Sequence, residues 1–218
     1  MKRGLFVVVD GPSGSGKSTI VHGIGKYLFD QGKYESVLIT RAPSDTPSGR
    51  KSRELREEHK RQGISTHLHA ETYSQLYFAD GQEQYAQIIK PALNQGIHVV
   101  SDRSTVITQL AYQRRENIPL ETLLTCRAQP GMPRPDITLI LDLDPTEACR
   151  RIDAGGRARS SLERVEIMEE LRTYFCEIPS LLPAENIVVI DASKDPHTVL
   201  WAAIPHVRSC LDYVKNHR

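Results

Sequence analysis

A glycine-rich segment close to the start of the chain constrains the possible folds most strongly. Residues 11–19 read Gly-Pro-Ser-Gly-Ser-Gly-Lys-Ser-Thr and satisfy the pattern G-x(4)-G-K-[ST]. The apolar run Leu5–Asp10 directly precedes this segment, and a helical pattern over Ser18–Gln31 follows it. A strand, a glycine-rich loop and a helix in this order are the context of a P-loop, in which backbone N–H groups and the helix N-terminus bind phosphate.

The P-loop pattern assigns roles to individual side chains. Lys17 is expected to reach the β- and γ-phosphates of ATP, and the Ser18 hydroxyl is expected to ligate Mg²⁺. The residues expected to hold ATP are Gly11, Pro12, Ser13, Gly14, Ser15, Gly16, Lys17, Ser18 and Thr19. The sequence has no Asn-Lys-x-Asp tetrapeptide, which a GTPase needs to read its base, so a GTP-dependent switch is not indicated.

Apolar runs alternate with amphipathic stretches along the rest of the chain. The runs predict strands at Leu5–Asp10, Ser36–Thr40, Ile97–Asp102, Thr138–Asp142 and Ile187–Asp191. Helices are predicted over Ser18–Gln31, Arg50–His59, Thr72–Asn94, Thr105–Arg115, Pro145–Ile152, Glu163–Cys176 and His197–Val214. This alternation predicts an α/β three-layer sandwich with a central five-stranded parallel sheet. We expect a single domain over 1–218, with a short lid at about 153–161.

Composition and charge limit the classes of partner. The net charge is +1, so nothing calls for nucleic acid or an anionic membrane as a partner. No apolar stretch approaches the roughly 20 residues of a membrane span, and the protein is expected to be cytoplasmic. The four cysteines are far apart and indicate neither zinc nor a disulfide framework, and the histidines are expected at the surface.

A second cluster of candidate site residues follows the predicted strands. Asp102 and Arg103 end the third strand, and Arg41 follows the second. The carboxyl ends of parallel strands meet at the edge that carries the P-loop, so these side chains are expected to converge there. Asp102 would hold Mg²⁺ or its water, or orient the acceptor, whereas Arg41 and Arg103 would clamp an acceptor that already carries phosphate.

The segment Asp153–Ser161 is glycine-rich and basic and is expected to form a mobile lid. Phosphoryl transfer builds negative charge on the γ-oxygens, which a mobile arginine can stabilise while it excludes water. Arg157 and Arg159 are the candidates for this catalytic role.

Several short motifs, taken in order, resemble the thymidylate kinase family along nearly the whole chain. They are Phe6–Thr19, Thr40–Pro43, Thr46–Gly49, Ile89–Gly96, Asp102-Arg103, Ala111–Gln113, Arg134–Pro145 and Ile190–Ser193. The resemblance implies a P-loop kinase fold and transfer of phosphate from ATP to a nucleoside 5′-monophosphate. The acceptor would be thymidylate, giving dTDP, or a related deoxynucleotide. Members of the family commonly form homodimers.

The resemblance also implies roles for residues outside the P-loop. Tyr112 would lie against the deoxyribose, and Tyr77 would stack on the base, or Phe78 in its place if the register shifts by one residue. Ala192 and Ser193 would lie beside the adenine of ATP. Since the P-loop contains no arginine, the resemblance implies that the catalytic arginine comes from the lid.

The chain departs from the family mainly on the acceptor side. Ser13 stands where the family usually has an acid, Ala42 where it has glutamate, and Ser104 where it has tyrosine. The arginine that reads the thymine edge in the family falls at Gly81, or at Gln82 in the shifted register. A site that loses a base-specific donor loses discrimination, so an altered or relaxed choice of acceptor is expected.

Two alternative functions stay open on the sequence alone. Asp102-Arg103-Ser104 faintly resembles the acid-Arg-Ser sequence of deoxynucleoside kinases, which phosphorylate a free 5′-hydroxyl. A non-catalytic nucleotide-binding homologue would keep the P-loop and lose the acceptor site. The first alternative predicts activity on nucleosides, and the second predicts ATP binding without turnover.

Overall fold

The computed structural model of the chain describes residues 3–33, 35–156 and 158–217. The strands within these residues are β1 (Phe6–Asp10), β2 (Val37–Arg41), β3 (His98–Asp102), β4 (Ile137–Asp142) and β5 (Ile187–Asp191). All neighbouring strands pair in parallel, in the order β2-β3-β1-β4-β5. The predicted five-stranded parallel sheet is therefore confirmed.

Helices cover both faces of this sheet. They are α1 (Lys17–Phe29), α2 (Pro47–Gln62), α3 (Ala70–Gln84), α4 (Lys90–Asn94), α5 (Thr105–Arg115), α6 (Leu120–Ala128), α7 (Pro145–Ala154), α8 (Val165–Leu181) and α9 (Pro196–His217). Val7 and Val9 of β1 belong to the core cluster shared with α1 and α9. Phe6 and Val8 point to the opposite face and pack with residues of α4. The three-layer sandwich is confirmed as well.

The predicted helix over Thr72–Asn94 is present but not uniform. It consists of α3, a π-helical turn over Tyr85–Ile89, and α4. Pro91 lies at the start of α4 and has no backbone N–H, so the α-helical hydrogen-bond ladder cannot run through it unchanged. The sequence pattern predicts neither α6 nor the 3-10 turn over Thr66–His69, because both are too short to show a clear period.

The strand register places the candidate residues at one edge of the sheet. Arg41 at the end of β2 lies opposite Asp102 at the end of β3, and Asp102 lies opposite Val9 of β1. Gly11 continues directly from β1 into the P-loop. The convergence expected from parallel strands therefore occurs.

Two histidines contradict the expectation that histidines lie at the surface. His98 is buried; its Nδ1 accepts a hydrogen bond from the Leu5 N–H at 2.9 Å, and its Nε2 lies 3.0 Å from a Glu35 carboxylate oxygen. His59 is buried beside the Tyr73 hydroxyl, 3.2 Å from its Nδ1. These rings are tolerated inside because their nitrogens have polar partners.

Over the part of the chain that the structure describes, no helix combines the length and the apolar character that a membrane crossing requires. The four cysteines are free thiols: Cys149 is buried, Cys126 and Cys210 are half-buried, and Cys176 is exposed. No group of three or more His, Cys, Asp or Glu among the same described residues is arranged to hold a metal ion.

Candidate active site

The P-loop curls tightly between β1 and α1. Gly11, Gly14 and Gly16 have positive φ angles of 131°, 78° and 89°. A Cβ at Gly11 would lie 2.5 Å from the Leu141 carbonyl oxygen, and one at Gly14 would lie 2.6 Å from that of Ala148. Glycine is therefore required for both the dihedral angles and the space, and the curled backbone leads into the N-terminus of α1 as a phosphate cradle does.

A cavity of about 350 Å³ opens in front of the P-loop. It is lined by loop residues and by the ends of β2 and β3: Ser13, Gly14, Gly16, Lys17, Ser18, Thr19, Arg41, Ala42, Asp102 and Arg103. The structure thus brings six of the nine predicted ATP-binding P-loop residues together with Arg41, Asp102 and Arg103, whereas Gly11, Pro12 and Ser15 lie outside the lining. The described candidates that lie outside this lining include Tyr77, Tyr112, Arg159, Ala192 and Ser193.

Lys17 is almost fully buried at the start of α1. Its Nζ donates a hydrogen bond to the Pro12 carbonyl oxygen at 2.6 Å and lies 3.4 Å from the Ser15 hydroxyl. Burial lowers the pKa of Lys17 to about 7, and the nearby Arg103 cation acts in the same direction. A lysine in this state gains its charge readily when an anion enters the cavity.

Asp102 connects the predicted metal ligand to the acceptor side. Its Oδ2 accepts a hydrogen bond from the Ser18 hydroxyl at 2.6 Å and lies 3.6 Å from an Arg41 guanidinium nitrogen. Asp102 is buried, whereas the Arg41 side chain is largely exposed. The two predicted Mg²⁺ ligands, Ser18 and Asp102, are therefore in direct contact.

Arg103 is held in an uncommon backbone conformation, with a φ angle of 75°. Its guanidinium donates to the Gly11 carbonyl oxygen at 3.3 Å and lies 3.7 Å from Asp10 Oδ1. Asp10 is fully buried, and it also accepts hydrogen bonds from the N–H groups of Gly11 and Ser104 and from the Thr108 hydroxyl. Burial raises the pKa of Asp10, while Arg103 opposes this rise. Residues that carry such strain and such burial cluster at functional sites.

Tyr112, the predicted sugar-contacting residue, lies close to Arg103. The guanidinium carbon of Arg103 is 6.0 Å from the centroid of the Tyr112 ring. On another side the ring packs edge-on against Phe175, with the centroids 6.2 Å apart. Helix α5 therefore places Tyr112 beside one of the two predicted phosphate-binding arginines.

The two candidates for the base-stacking ring have different environments. Tyr77 is buried and stacks on Tyr73 with the centroids 6.1 Å apart. Phe78 belongs to the apolar core cluster that contains Val106 and Leu110 of α5. Both rings are therefore buried, Tyr77 against another aromatic ring and Phe78 within the apolar core cluster.

The Ala192-Ser193 segment lies at the end of β5. The Ala192 N–H donates to the Asp142 carbonyl oxygen at 2.8 Å, which joins this segment to the end of β4. Arg151 of α7 donates to the carbonyl oxygens of Ala192 and Ser193, both at 3.1 Å. Its guanidinium therefore holds the segment against the helix that leads into the lid.

The described part of the predicted lid is anchored to α7. Arg159 makes a two-fold contact with Asp153, with Nε at 2.8 Å from Oδ1 and Nη2 bonded to Oδ2. Asp153 raises the pKa of Arg159, mainly through this hydrogen bonding. Arg157, the other candidate, lies outside the described residues.

Position 81 has no room for a side chain. Gly81 of α3 faces Thr105 of α5, and a Cβ built at Gly81 would overlap the Thr105 Oγ1 atom. The neighbouring Gln82 donates to the Pro130 carbonyl oxygen at 3.2 Å. Neither residue takes the place of the arginine that the family uses here.

Sequence reasoning missed two buried acids of the site. Asp10 ends β1 directly before the P-loop, and this position is a sequence signal for a site residue. Its burial is visible only in three dimensions. Glu163 accepts a hydrogen bond from the Ser160 N–H at 2.7 Å, and its charge acts on the pKa of Lys17. Glu163 thus binds the predicted lid segment directly and acts on Lys17 through its charge, and no sequence signal indicates this.

A parallel sheet with a P-loop after its central strand, and with an Asp-Arg pair at the end of the neighbouring strand, defines the class of P-loop kinases. A family model described as Thymidylate kinase matches residues 9–201. The chain belongs to the thymidylate kinase family.

Individual relatives agree with this assignment over nearly their whole length. A thymidylate kinase from Lactobacillus delbrueckii is 31% identical over 212 residues, covering 95% of this chain and 97% of the relative. A probable thymidylate kinase from Pyrobaculum calidifontis is 35% identical, covering 87% and 89%. A thymidylate kinase from Hahella chejuensis is 35% identical, covering 89% and 91%.

Proposed function

We propose that the chain transfers the γ-phosphoryl group of ATP to the 5′-phosphate of thymidylate, giving ADP and dTDP, with Mg²⁺ as cofactor. The family assignment supports the reaction. The observation that carries the proposal is the single cavity shared by Lys17, Ser18, Arg41, Asp102 and Arg103. A phosphate donor and a phosphorylated acceptor can both reach this cavity.

On the donor side, the P-loop backbone would bind the ATP phosphates. Lys17 would leave its contact with the Pro12 carbonyl oxygen and donate to the β- and γ-phosphates. Because the Lys17 pKa is lowered to about 7, the entering phosphates would raise it and hold the proton on Nζ. The segment at Ala192 and Ser193 would lie beside the adenine.

The donor set at Ser18 and Asp102 fits Mg²⁺. A hydroxyl and a carboxylate oxygen lie 2.6 Å apart there, and Mg²⁺ usually takes one or two carboxylates and completes its shell with water and phosphate oxygens. When bound, Mg²⁺ neutralises charge on the transferring phosphoryl group. Ser18 would act as a ligand, and Asp102 would hold the ion or its water.

On the acceptor side, Arg41 and Arg103 would bind the 5′-phosphate of thymidylate. The Arg103 side chain is held by Asp10 and its backbone conformation is fixed, so its guanidinium would bind the acceptor phosphate at a constant position. Tyr112 would lie against the deoxyribose, and Tyr77 would contact the base. Asp102 is already engaged by Ser18 and Arg41, which suits binding of metal and orientation of phosphate better than removal of a proton from a free hydroxyl.

The lid belongs to the same proposal. Arg159, now paired with Asp153, would swing to the γ-phosphate during transfer, with Arg157 as the second candidate. We propose that the chain forms one domain with a lid at about 153–161. We also propose that it acts as a homodimer, and light scattering of the purified protein would test this oligomeric state.

Release of ADP from Mg-ATP with a panel of deoxynucleoside monophosphates, and with free thymidine, tests the function. Thymidylate should be the best acceptor, thymidine should be inactive, and Lys17→Met should abolish turnover without changing the circular dichroism spectrum. A higher rate with thymidine would support a deoxynucleoside kinase. ATP binding without turnover on any acceptor would support the non-catalytic alternative.

A further inference from the structure

Helix α2 carries four arginines that differ in how they are held. Arg50 and Arg53 both pair with Asp45, at 3.5 and 2.8 Å, and Arg61 pairs with Glu58. Among the residues that the structure describes, no carboxylate lies within ion-pair distance of Arg56, and no hydrogen bond holds its guanidinium. Arg56 is thus the exception on a helix whose other arginines are neutralised.

The Arg56 side chain lies on the acceptor side of the site. Its guanidinium carbon is 5.6 Å from the centroid of the Tyr77 ring. The pKa of Arg56 is lowered, first by the surrounding protein and further by the Arg103 cation, while Tyr73 and Tyr112 act in the opposite direction. Arg56 is still exposed to solvent, so its donors can reach a ligand.

Two features of α3 and α5 are relevant to a base-directed donor. Gly81 cannot supply one, because α3 and α5 approach too closely at Thr105. On the same side of α5 as Thr105, one and two helical turns further along, Gln109 and Gln113 are buried, and their Oε1 atoms have no partner among the described residues. Buried polar atoms without a hydrogen-bond partner indicate that a polar ligand binds close by.

We propose that Arg56 is a specificity-determining residue of the acceptor site, donating hydrogen bonds to an oxo group on the acceptor base beside Tyr77. The inference rests on the proposed function and deepens it. A guanidinium offers a planar pair of N–H donors, which matches a carbonyl edge and repels an amino group. Arg56 therefore favours a 4-oxo pyrimidine such as thymine over the 4-amino pyrimidine cytosine.

The test is titration calorimetry of Arg56→Met and Arg56→Lys with dTMP and with dCMP. Arg61→Met is the matched control, because Arg61 lies on the same helix, is exposed and pairs with Glu58. Arg56→Met should weaken dTMP binding about 10- to 100-fold, the value of a charge-assisted hydrogen bond, and dCMP binding by less than about threefold. Arg56→Lys should recover part of the lost dTMP affinity, since an ammonium keeps the positive charge but lacks the planar pair of N–H donors.

Several results would overturn the assignment. Equal losses for dTMP and dCMP would show that Arg56 binds the phosphate that both share. No loss with either would make Arg56 an ordinary surface residue. A parallel drop in melting temperature and in ATP affinity would make its role structural.

The two proposals fail in distinguishable ways. Loss of turnover on every acceptor in the unmodified chain, together with dTMP binding that depends on Arg56, would overturn the proposed function and support the role of Arg56. Normal thymidylate turnover, with dTMP binding unchanged in Arg56→Met, would support the proposed function and overturn the role of Arg56. No monophosphate binding by the unmodified chain would overturn both.

Discussion

Replacing Gly81 by alanine tests how closely α3 and α5 pack on the acceptor side. The added Cβ would overlap Thr105 Oγ1, whereas the next atoms, Thr105 Cβ and Pro133 Cδ, lie at 3.5 and 3.9 Å. Thr105 is buried, and its hydroxyl has no hydrogen-bond partner among the described residues. The strain that alanine introduces therefore comes from a single oxygen atom.

Two effects of known size oppose each other in this variant. Alanine in a helix interior is favoured over glycine by about 1 kcal/mol, and overpacking a filled core costs about 1–3 kcal/mol. Gly81→Ala alone should therefore lower the free energy of unfolding by up to about 2 kcal/mol. With Thr105→Ala also present, the nearest atom is the retained Cβ at 3.5 Å, an ordinary contact. In that background Gly81→Ala should raise the free energy of unfolding by about 1 kcal/mol.

Urea unfolding of the unmodified chain, the two single variants and the double variant gives the coupling energy directly. We expect a coupling of about 1–3 kcal/mol between positions 81 and 105. The slope of free energy against urea should stay the same in all four proteins, which is the control for changes in the denatured state. Effects that add within about 0.5 kcal/mol would refute the reasoning, because the Thr105 hydroxyl would then not be what excludes a side chain.

Two further predictions concern the phosphate cradle. Because burial lowers the Lys17 pKa to about 7, ATP binding at about pH 8 should take up roughly one proton, measured by calorimetry in buffers of different ionisation enthalpy. Uptake should vanish at about pH 6, where Lys17 is already charged, and in Lys17→Met; unchanged uptake in that variant would assign the proton to another group. Asp102→Asn should raise the Mg²⁺ concentration needed for half-maximal activity about 10- to 100-fold, with the exposed Asp30→Asn as control. An unaltered Mg²⁺ dependence would remove Asp102 from the metal site.

The sheet could be predicted from the sequence because its three inner strands are buried on both faces and its two edge strands are also continuous apolar runs. Continuous apolar runs such as Leu5–Asp10 and Ile187–Asp191 leave few other folds once a P-loop follows the first of them. The ends of β2 and β3 could also be assigned to the site, since parallel strands bring Arg41 and Asp102 to one edge. The π-helical turn before Pro91 could not be predicted, because the spacing of apolar residues does not show where helical hydrogen bonds change from the α to the π pattern.

The hydrogen-bond and ion-pair partners of the site side chains could not be predicted from the sequence. The four arginines of α2 look alike in the sequence, and only the positions of Asp45 and Glu58 show that Arg56 differs in having no carboxylate partner among the described residues. Tyr77 and Phe78 are neighbours in the sequence, and only the structure shows that Tyr77 stacks on Tyr73 whereas Phe78 packs in the core cluster with α5. His98 is buried because its ring joins the chain start to β3, a contact between distant segments.

The Asp10 carboxylate has a consequence for how the molecule can move. It binds the N–H of Gly11 in the P-loop, the N–H of Ser104 and the hydroxyl of Thr108 in α5, and it lies beside Arg103. One buried carboxylate thus ties the start of the P-loop, Arg103 and the beginning of α5 together, so their relative positions are set when the chain folds. We therefore expect ligand binding to leave these elements in place, while the Lys17 side chain and the predicted lid move to complete the site.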